Sequence, residues 1–365
     1  GAGKSTMVAH LHDLTGWGII SDDVSVLCRS ANEFHLESGV NTVKLWNDAL
    51  QSLNRSSVGL KRDLSRFDKF HAIEPTKFVS GKFPLKQLIF LTWGLKGAYP
   101  KILNHKTMGT EAKKLLRDAQ EMLEEVVNKK WLTAKAVIGL YPANTVNDDD
   151  IEWYTDDTRS EVLATFYNLR QQVDDGRNKK MVCLSDFVAP KETGIKDYCG
   201  GFAVTTGHGI EEITERYTRD HDDYRAIMAQ AIADRLAEGF AECLHREVRR
   251  NHWGYAAEEA FSNEELIKEK YAGIRPAPGY PANPDHTEKL TLFKILEIEK
   301  HIGLSLTESL AMFPAAAVSG LYIGHPESYY FGIGRLAKDQ VEDYAQRKGY
   351  DLEEMEKWLN PNLGY

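Results

Sequence analysis

With 365 residues the chain has room for two domains of the usual ~100–200 residues each, and a composition of 42% hydrophobic and 27% charged residues builds a core and excludes general disorder. A net charge of −9 excludes the basic surplus that nucleic-acid binding demands. There is no apolar run long enough to span a membrane, nor an N-terminal charged region followed by an apolar stretch and a cleavage site, so the expectation is a cytoplasmic chain without nucleic-acid or membrane partners.

In chain order, the first element is "GAGKST", residues 1–6. Glycines let backbone N–H groups curl around an anion, a lysine adds charge and a serine or threonine hydroxyl holds magnesium. Gly3, Lys4 and Ser5 are therefore candidates for the phosphates and metal of Mg-ATP. The first glycine of G-x-x-x-x-G-K-[ST] and the strand that delivers such a loop are missing. "GWGIISDDVSVLC" follows as a β-rich run in which Asp22 and Asp23 are placed to hold magnesium or accept a proton from a hydroxyl. "KFPLKQLIFLTW" then reads as a strand entered through Pro84.

Past residue 90 the patterns lengthen. Asp223 to His245 is predicted helical, with Ile227, Ala231, Ile232, Leu236, Phe240, Cys243 and Leu244 on one apolar stripe and Asp234, Glu238 and Glu242 on an acidic one. Near the end, a helix over Asp339–Lys348 is stopped by Gly349. A last helix starts at Asp351, with Glu354 three residues on, and ends before Pro361. Cys28, Cys183, Cys199 and Cys243 form no C-x-x-C pair and read as reduced, mostly buried thiols. His221 and His286 each sit near carboxylates but have no second histidine at ligand spacing, which favours turn or capping roles over metal.

The densest chemical signal is "RPAPGYPANPDHTEK", residues 275–289. Prolines 276, 278, 281 and 284 make it stiff, and exclude a helix or a central strand. Such a segment holds Arg275 and the backbone around Gly279 in place at little ordering cost to a ligand. Arginine is the natural bidentate partner of a carboxylate, and Tyr280 offers a flat face with a polar tip. Spacing alone equally supports a rigid connector between domains.

Two resemblances organise these readings. "GAGKST" and "SDDVSV", with "VKLWNDAL" (43–50) and "FDKFHAIEP" (67–75), resemble the HPr serine kinase/phosphorylase family over residues 1–90. This implies a partial P-loop-like α/β fragment of a phosphoryl-transfer enzyme, cut at both ends and expected to be inactive. "TWGLKGAYPKIL", "VIGLYPANTVNDDDIEWY", "SDFVAPKETGIKDY", "HDDYRAIMAQAIADRLAEGFAECLH", "SNEELIKEKYAGIRPAPGYPANPDHTEK" and "LTESLAMFPAAAVSGLYIGHPESYY" occur in the order of the activation-domain family of cobalamin-dependent methionine synthases, which residues 91–365 resemble. This second resemblance implies a C-shaped α+β domain with a central antiparallel sheet and flanking helices. It also implies binding of S-adenosylmethionine for reductive methylation of cob(II)alamin, with a cobalamin-binding domain and flavodoxin or a similar reductase as partners.

Carried over residue by residue, Arg275 takes the ligand's carboxylate, Gly279 and Tyr280 line the site, Tyr330 and Phe331 pack the nucleoside, and Glu238 meets the positive groups. No residue is expected to act as a protein nucleophile. Leu85 in "LKQLIF" stands where the family has an aspartate that contacts the adenosyl part, a departure worth about 1.5–3 kcal/mol of binding. Neither a D-x-H-x-x-G cobalamin signature nor a cysteine cluster for zinc occurs, so cobalamin must come from another domain or chain. An ATP-dependent serine kinase and a ligand-free docking module are the competing expectations.

Overall fold

The computed structural model describes residues 101–172, 180–262, 265–266 and 269–365, together with the backbone of six short strands before residue 83. The chain divides into two units, Gly1–Leu132 with Gly209–Glu258, and Thr133–His208 with Glu259–Tyr365.

In the first unit, β1 (Ser25–Ser30), β2 (Glu33–Ser38) and β6 (Gly81–Lys82) form one antiparallel sheet. Strands β3 (Thr42–Trp46), β5 (Lys69–Ile73) and β4 (Lys61–Arg62) form another. β1 takes up the end of the β-rich run expected before residue 29. Gly3, Lys4, Ser5, Asp22, Asp23, Leu85 and most of the strand expected after Pro84 lie outside the described residues.

The helices of this unit are amphipathic. α1 (Gly109–Lys129) buries Ala112, Leu115, Ala119, Met122, Leu123 and Val126, the three-and-four spacing of a single helix face. It ends at Lys130 in the left-handed conformation, whose N–H bonds back to Val127 O at 3.3 Å. α2 (Ile210–Arg219) and α3 (Asp223–Glu247) are joined by a tight turn through His221, and the Asp222 carboxylate caps α3 by accepting from Arg225 N at 3.0 Å.

The predicted stripe of α3 needs one correction. Ile227 is 48% exposed, and the buried face passes instead through Ala226, Ala229, Ala233 and Ala237 before reaching Phe240 and Leu244. Small side chains let another element approach closely, and Met228 and Ile232, each 1% exposed, are buried beside them. α3 runs on into a π-helical turn, Val248–His252.

The second unit is built on a five-stranded antiparallel sheet in the order β13-β10-β7-β8-β9. These strands are β7 (Thr133–Val146), β8 (Asp150–Tyr154), β9 (Val162–Phe166), β10 (Asp197–His208) and β13 (Ala317–Tyr322). β10 is buried over most of its length, as expected of a strand with neighbours on both edges. Gly201 has a packing reason: a Cβ there would lie 2.7 Å from Leu292 Cδ1 and 3.0 Å from the Trp153 ring. Only glycine lets α4 (Glu288–Ile295) lie down on the sheet at this point.

Beneath α4 and α5 (Ile298–Ile302), the core gathers Ile151, Trp153, Phe166, Leu292, Leu296, Ile298 and Leu321. Tyr141 stacks on Trp153 with ring centres 4.8 Å apart. A short hairpin of β11 (Ser305–Leu306) and β12 (Met312–Phe313) precedes β13.

Two helices close the chain. α6 (Lys338–Lys348) stops at Gly349, whose φ of 73° is the left-handed cap expected of it, and α7 (Leu352–Leu359) starts from an extended Asp351. The Asp351 side chain makes no capping hydrogen bond, so the predicted start is right while the capping box is not formed. Val341, Tyr344, Ala345, Met355 and Leu359 seal this pair over Leu169, Ile333 and Leu336.

Candidate functional site

The proline-rich segment runs along the free edge of β13. Ile274 exchanges both backbone hydrogen bonds with Ile323, and the Pro276 carbonyl accepts from Leu321 N at 2.9 Å. This is the arrangement prolines allow, because a carbonyl on an edge can pair where no N–H is required. The chain then turns. Gly279 N donates to Asn283 O at 2.7 Å, Tyr280 N to Ala277 O at 3.1 Å, and Asn283 N to Tyr280 O at 2.9 Å. The N–H groups of Gly279 and Tyr280 are thus used within the turn, and what the turn offers outward is the Tyr280 side chain, 61% exposed.

Gly279 has a φ of +96°, and a Cβ there would come within 2.3 Å of His286 Cε1. His286 therefore packs against the turn at Gly279. Lys289 Nζ lies 2.9 Å from His286 Nδ1 and 3.0 Å from Leu310 O. Burial first, and then the nearby Lys289 charge, lowers the His286 pKa. Burial also lowers that of Lys289.

Arg275 is fixed at two points. Its backbone N–H donates to the Tyr330 hydroxyl at 3.0 Å, and its Nη1 donates to the Tyr271 hydroxyl at 2.9 Å. Tyr330 belongs to the loop after β13, which also passes the turn where Ile333 N donates to Pro281 O at 3.0 Å. The structure thereby brings Arg275, Gly279, Tyr280 and Tyr330 onto one face of the second unit. Phe331 follows at once, but its half-buried ring joins Phe187 and Tyr329 in an aromatic cluster with centre distances of 5.8–6.4 Å. Glu238 lies on α3 of the first unit, paired with Arg235 at 2.9 Å.

The far end of the segment is anchored by charge. Lys348 Nζ, at the end of α6, lies 2.5 Å from Asp285 Oδ2, 2.6 Å from Glu288 Oε1 and 2.6 Å from Thr287 Oγ1. Tyr344 donates to Asp285 Oδ2 at 2.9 Å, and the rings of Tyr167, Tyr344 and Tyr350 surround the ammonium. One cation here serves two carboxylates, and they do not share it equally. Burial works to raise the Asp285 carboxyl, but Lys348 and the Thr287 bonds hold it below its ordinary value. Glu288, fully enclosed and with fewer bonds, is pushed up to about 7 by burial in spite of Lys348.

Sequence reasoning singled out Arg275, Gly279, Tyr280 and Tyr330 and passed over Tyr271, Asp285, Glu288, Lys289 and Lys348. For Tyr271 a signal existed: a tyrosine four residues before the arginine, with Gly273 between them. Lys348 gave none, being 63 residues from Asp285.

Chemically, the face presents an oriented guanidinium beside exposed phenol rings, a combination suited to a ligand that joins a carboxylate to a flat heterocycle. Among the described residues no group of three His, Cys, Asp or Glu side chains is placed to hold a metal ion. No helix among them is long and apolar enough to cross a membrane.

A family model described as "Vitamin B12 dependent methionine synthase, activation domain" matches residues 86–349. The chain is also similar to a crystal structure of the MetH reactivation domain bound to AdoHcy. The two share 52% sequence identity, with a TM-score of 0.73, over 77% of this chain and 87% of that one.

Proposed function

The chain belongs to the activation-domain family of vitamin B12-dependent methionine synthase, and from that premise we propose that it binds S-adenosylmethionine on the Arg275–Tyr330 face. There it serves reductive methylation of a cobalamin held by another domain or chain. The observation that carries the reading is the double anchoring of Arg275, at 3.0 Å by Tyr330 and at 2.9 Å by Tyr271, next to exposed aromatic rings. The relative bound to AdoHcy lends it support, since that ligand has the same carboxylate and adenosine.

When bound, S-adenosylmethionine supplies the methyl group, and the chain's own contribution is position and electrostatics rather than a nucleophile. In this proposal Arg275 takes the carboxylate, the Gly279–Tyr280 turn lines the site, and Tyr330 with Phe331 packs the nucleoside. The proposal draws on second-unit residues alone and leaves Glu238 to its pairing with Arg235. The activity is assigned to residues 91–365, with flavodoxin or a similar reductase as electron source and the cobalamin-binding domain as partner. Residues 1–90 are assigned to a P-loop-like fragment without a part in it.

Titration calorimetry with S-adenosylmethionine and with Mg-ATP on the purified chain tests this. Saturable S-adenosylmethionine binding that is lost in Arg275→Ala, with no Mg-ATP signal, is the expected result. Mg-ATP binding alone, indifferent to Arg275→Ala, returns Gly3, Lys4 and Ser5 to the centre of the function.

A further inference from the structure

Arg275 has a partner whose chemistry bears on which ligands the site accepts. Tyr271 is only 6% exposed, so its ring is held by its surroundings while its hydroxyl reaches Arg275 Nη1 at 2.9 Å. The backbone between them is fixed. Gly273 turns the chain with a φ of +88°, and Ile274 is tied to Ile323 by hydrogen bonds of 2.9 and 3.0 Å. The Arg275 backbone N–H is held by Tyr330 in turn. Both the origin of the side chain and a point near its tip are therefore set by rigid neighbours.

The kind of partner matters. A free arginine side chain loses about 2 kcal/mol of rotamer freedom when a ligand orders it, and a bond to a buried phenol removes part of that loss beforehand. A phenol accepts one hydrogen bond and carries no charge. It orients the fork without itself adding a negative charge, whereas an acidic residue in the same place would compete with the ligand's carboxylate.

We propose that Tyr271 is a positioning residue, which presets the Arg275 guanidinium and so selects ligands that carry a carboxylate. The inference rests on the reading of Arg275 as the carboxylate's partner. It assigns to Tyr271 no contact with the ligand.

The test compares S-adenosylmethionine with decarboxylated S-adenosylmethionine, which differs only in the missing carboxylate, on the full chain and on Tyr271→Phe and Arg275→Ala. Tyr271→Phe removes a single oxygen and keeps the ring in its pocket. It is expected to weaken S-adenosylmethionine about 3- to 10-fold, the order of one hydrogen bond's net contribution, and to leave the decarboxylated ligand's affinity unchanged. The ratio of the two affinities within one sample does not depend on the fraction of chain folded, so partial misfolding cannot imitate the result. Equal weakening of both ligands, or no weakening of either, overturns the positioning role. Unchanged S-adenosylmethionine affinity in Arg275→Ala overturns the underlying assignment instead, whatever Tyr271→Phe does.

Discussion

Lys348 and Asp285, 63 residues apart in sequence, meet at 2.5 Å with side chains 5% and 0% exposed. The contact joins the end of α6 to the segment that enters α4, and thereby ties the C-terminal helices to the same stretch of chain that carries Arg275, Gly279 and Tyr280. Glu288 and Thr287 complete the ammonium's shell at 2.6 Å each. Arg347, the preceding residue, pairs with Asp150 of β8, so adjacent cations pin α6 to two separate elements.

Lys348→Met keeps most of the volume and removes the charge. Two buried carboxyl groups are then left without their cation, and breaking a buried pair from one side costs about 3–5 kcal/mol. A fall of that size in unfolding free energy, read from the urea midpoint, is the expected outcome. Tyr344→Phe removes only the hydroxyl that donates to Asp285 at 2.9 Å, and costs about 1–2 kcal/mol. Equal and small effects from both substitutions would show that the cluster is solvated in solution.

The same cluster sets a pH dependence. Glu288 is raised from an ordinary 4.5 to about 7 by burial, which outweighs Lys348. A carboxyl raised on folding contributes stability that is fully present below its unfolded pKa and lost as pH rises through its folded one. Stability therefore falls between about pH 4.5 and 7, and Asp150, raised to about 6 mainly by burial, acts in the same direction. Glu288→Gln is expected to flatten this part of the profile, measured as the thermal midpoint from pH 5 to 8. A wild-type midpoint that rises across this range, with the variant parallel to it, would reverse the sign assigned here.

What the sequence disclosed follows from the range of the interactions involved. The stop at Gly349, the start at Asp351 and the break before Pro361 are local backbone constraints, and they are visible in single residues. α3 was legible from its periodicity, yet Ile227 was misplaced, because alanines can form a buried face that hydrophobicity alone does not rank above isoleucine. The capping box at Asp351 failed for a related reason: the motif permits the bond without requiring it. On the candidate face, Arg275, Gly279, Tyr280 and Tyr330 stood out through residue type and resemblance. The Lys348 cluster did not, because long-range charge pairing leaves no mark on spacing, and nothing in an alternating pattern says which lysine is buried.

Gly279 tolerates a side chain poorly. Its φ of +96° disfavours any L-residue, and a Cβ would meet the His286 ring at 2.3 Å. Gly279→Ala must therefore displace either the turn or the imidazole, at a cost of about 1–3 kcal/mol for the backbone alone. The expected result is at least a tenfold loss of S-adenosylmethionine affinity, because the turn that carries Tyr280 moves. His286→Ala opens space under the turn, and the double variant is expected to recover part of the loss. Calorimetry on the three chains checks both statements.

Tyr330 carries two features that substitution can separate. Its hydroxyl accepts from Arg275 N at 3.0 Å, and its ring is 40% exposed on the same face. Tyr330→Phe removes the first and keeps the second. Because the site is partly exposed, water can satisfy the released N–H, and the loss should be about 0.5–1.5 kcal/mol of fixed geometry. That corresponds to roughly 2- to 10-fold weaker S-adenosylmethionine binding. Tyr330→Ala also removes the ring, and should weaken 5′-methylthioadenosine, which has the nucleoside but no amino-acid end, by about the further loss that it adds to Tyr330→Phe for S-adenosylmethionine. Should Tyr330→Ala spare 5′-methylthioadenosine, the ring does not pack the nucleoside, and Tyr330 serves the site through Arg275 alone.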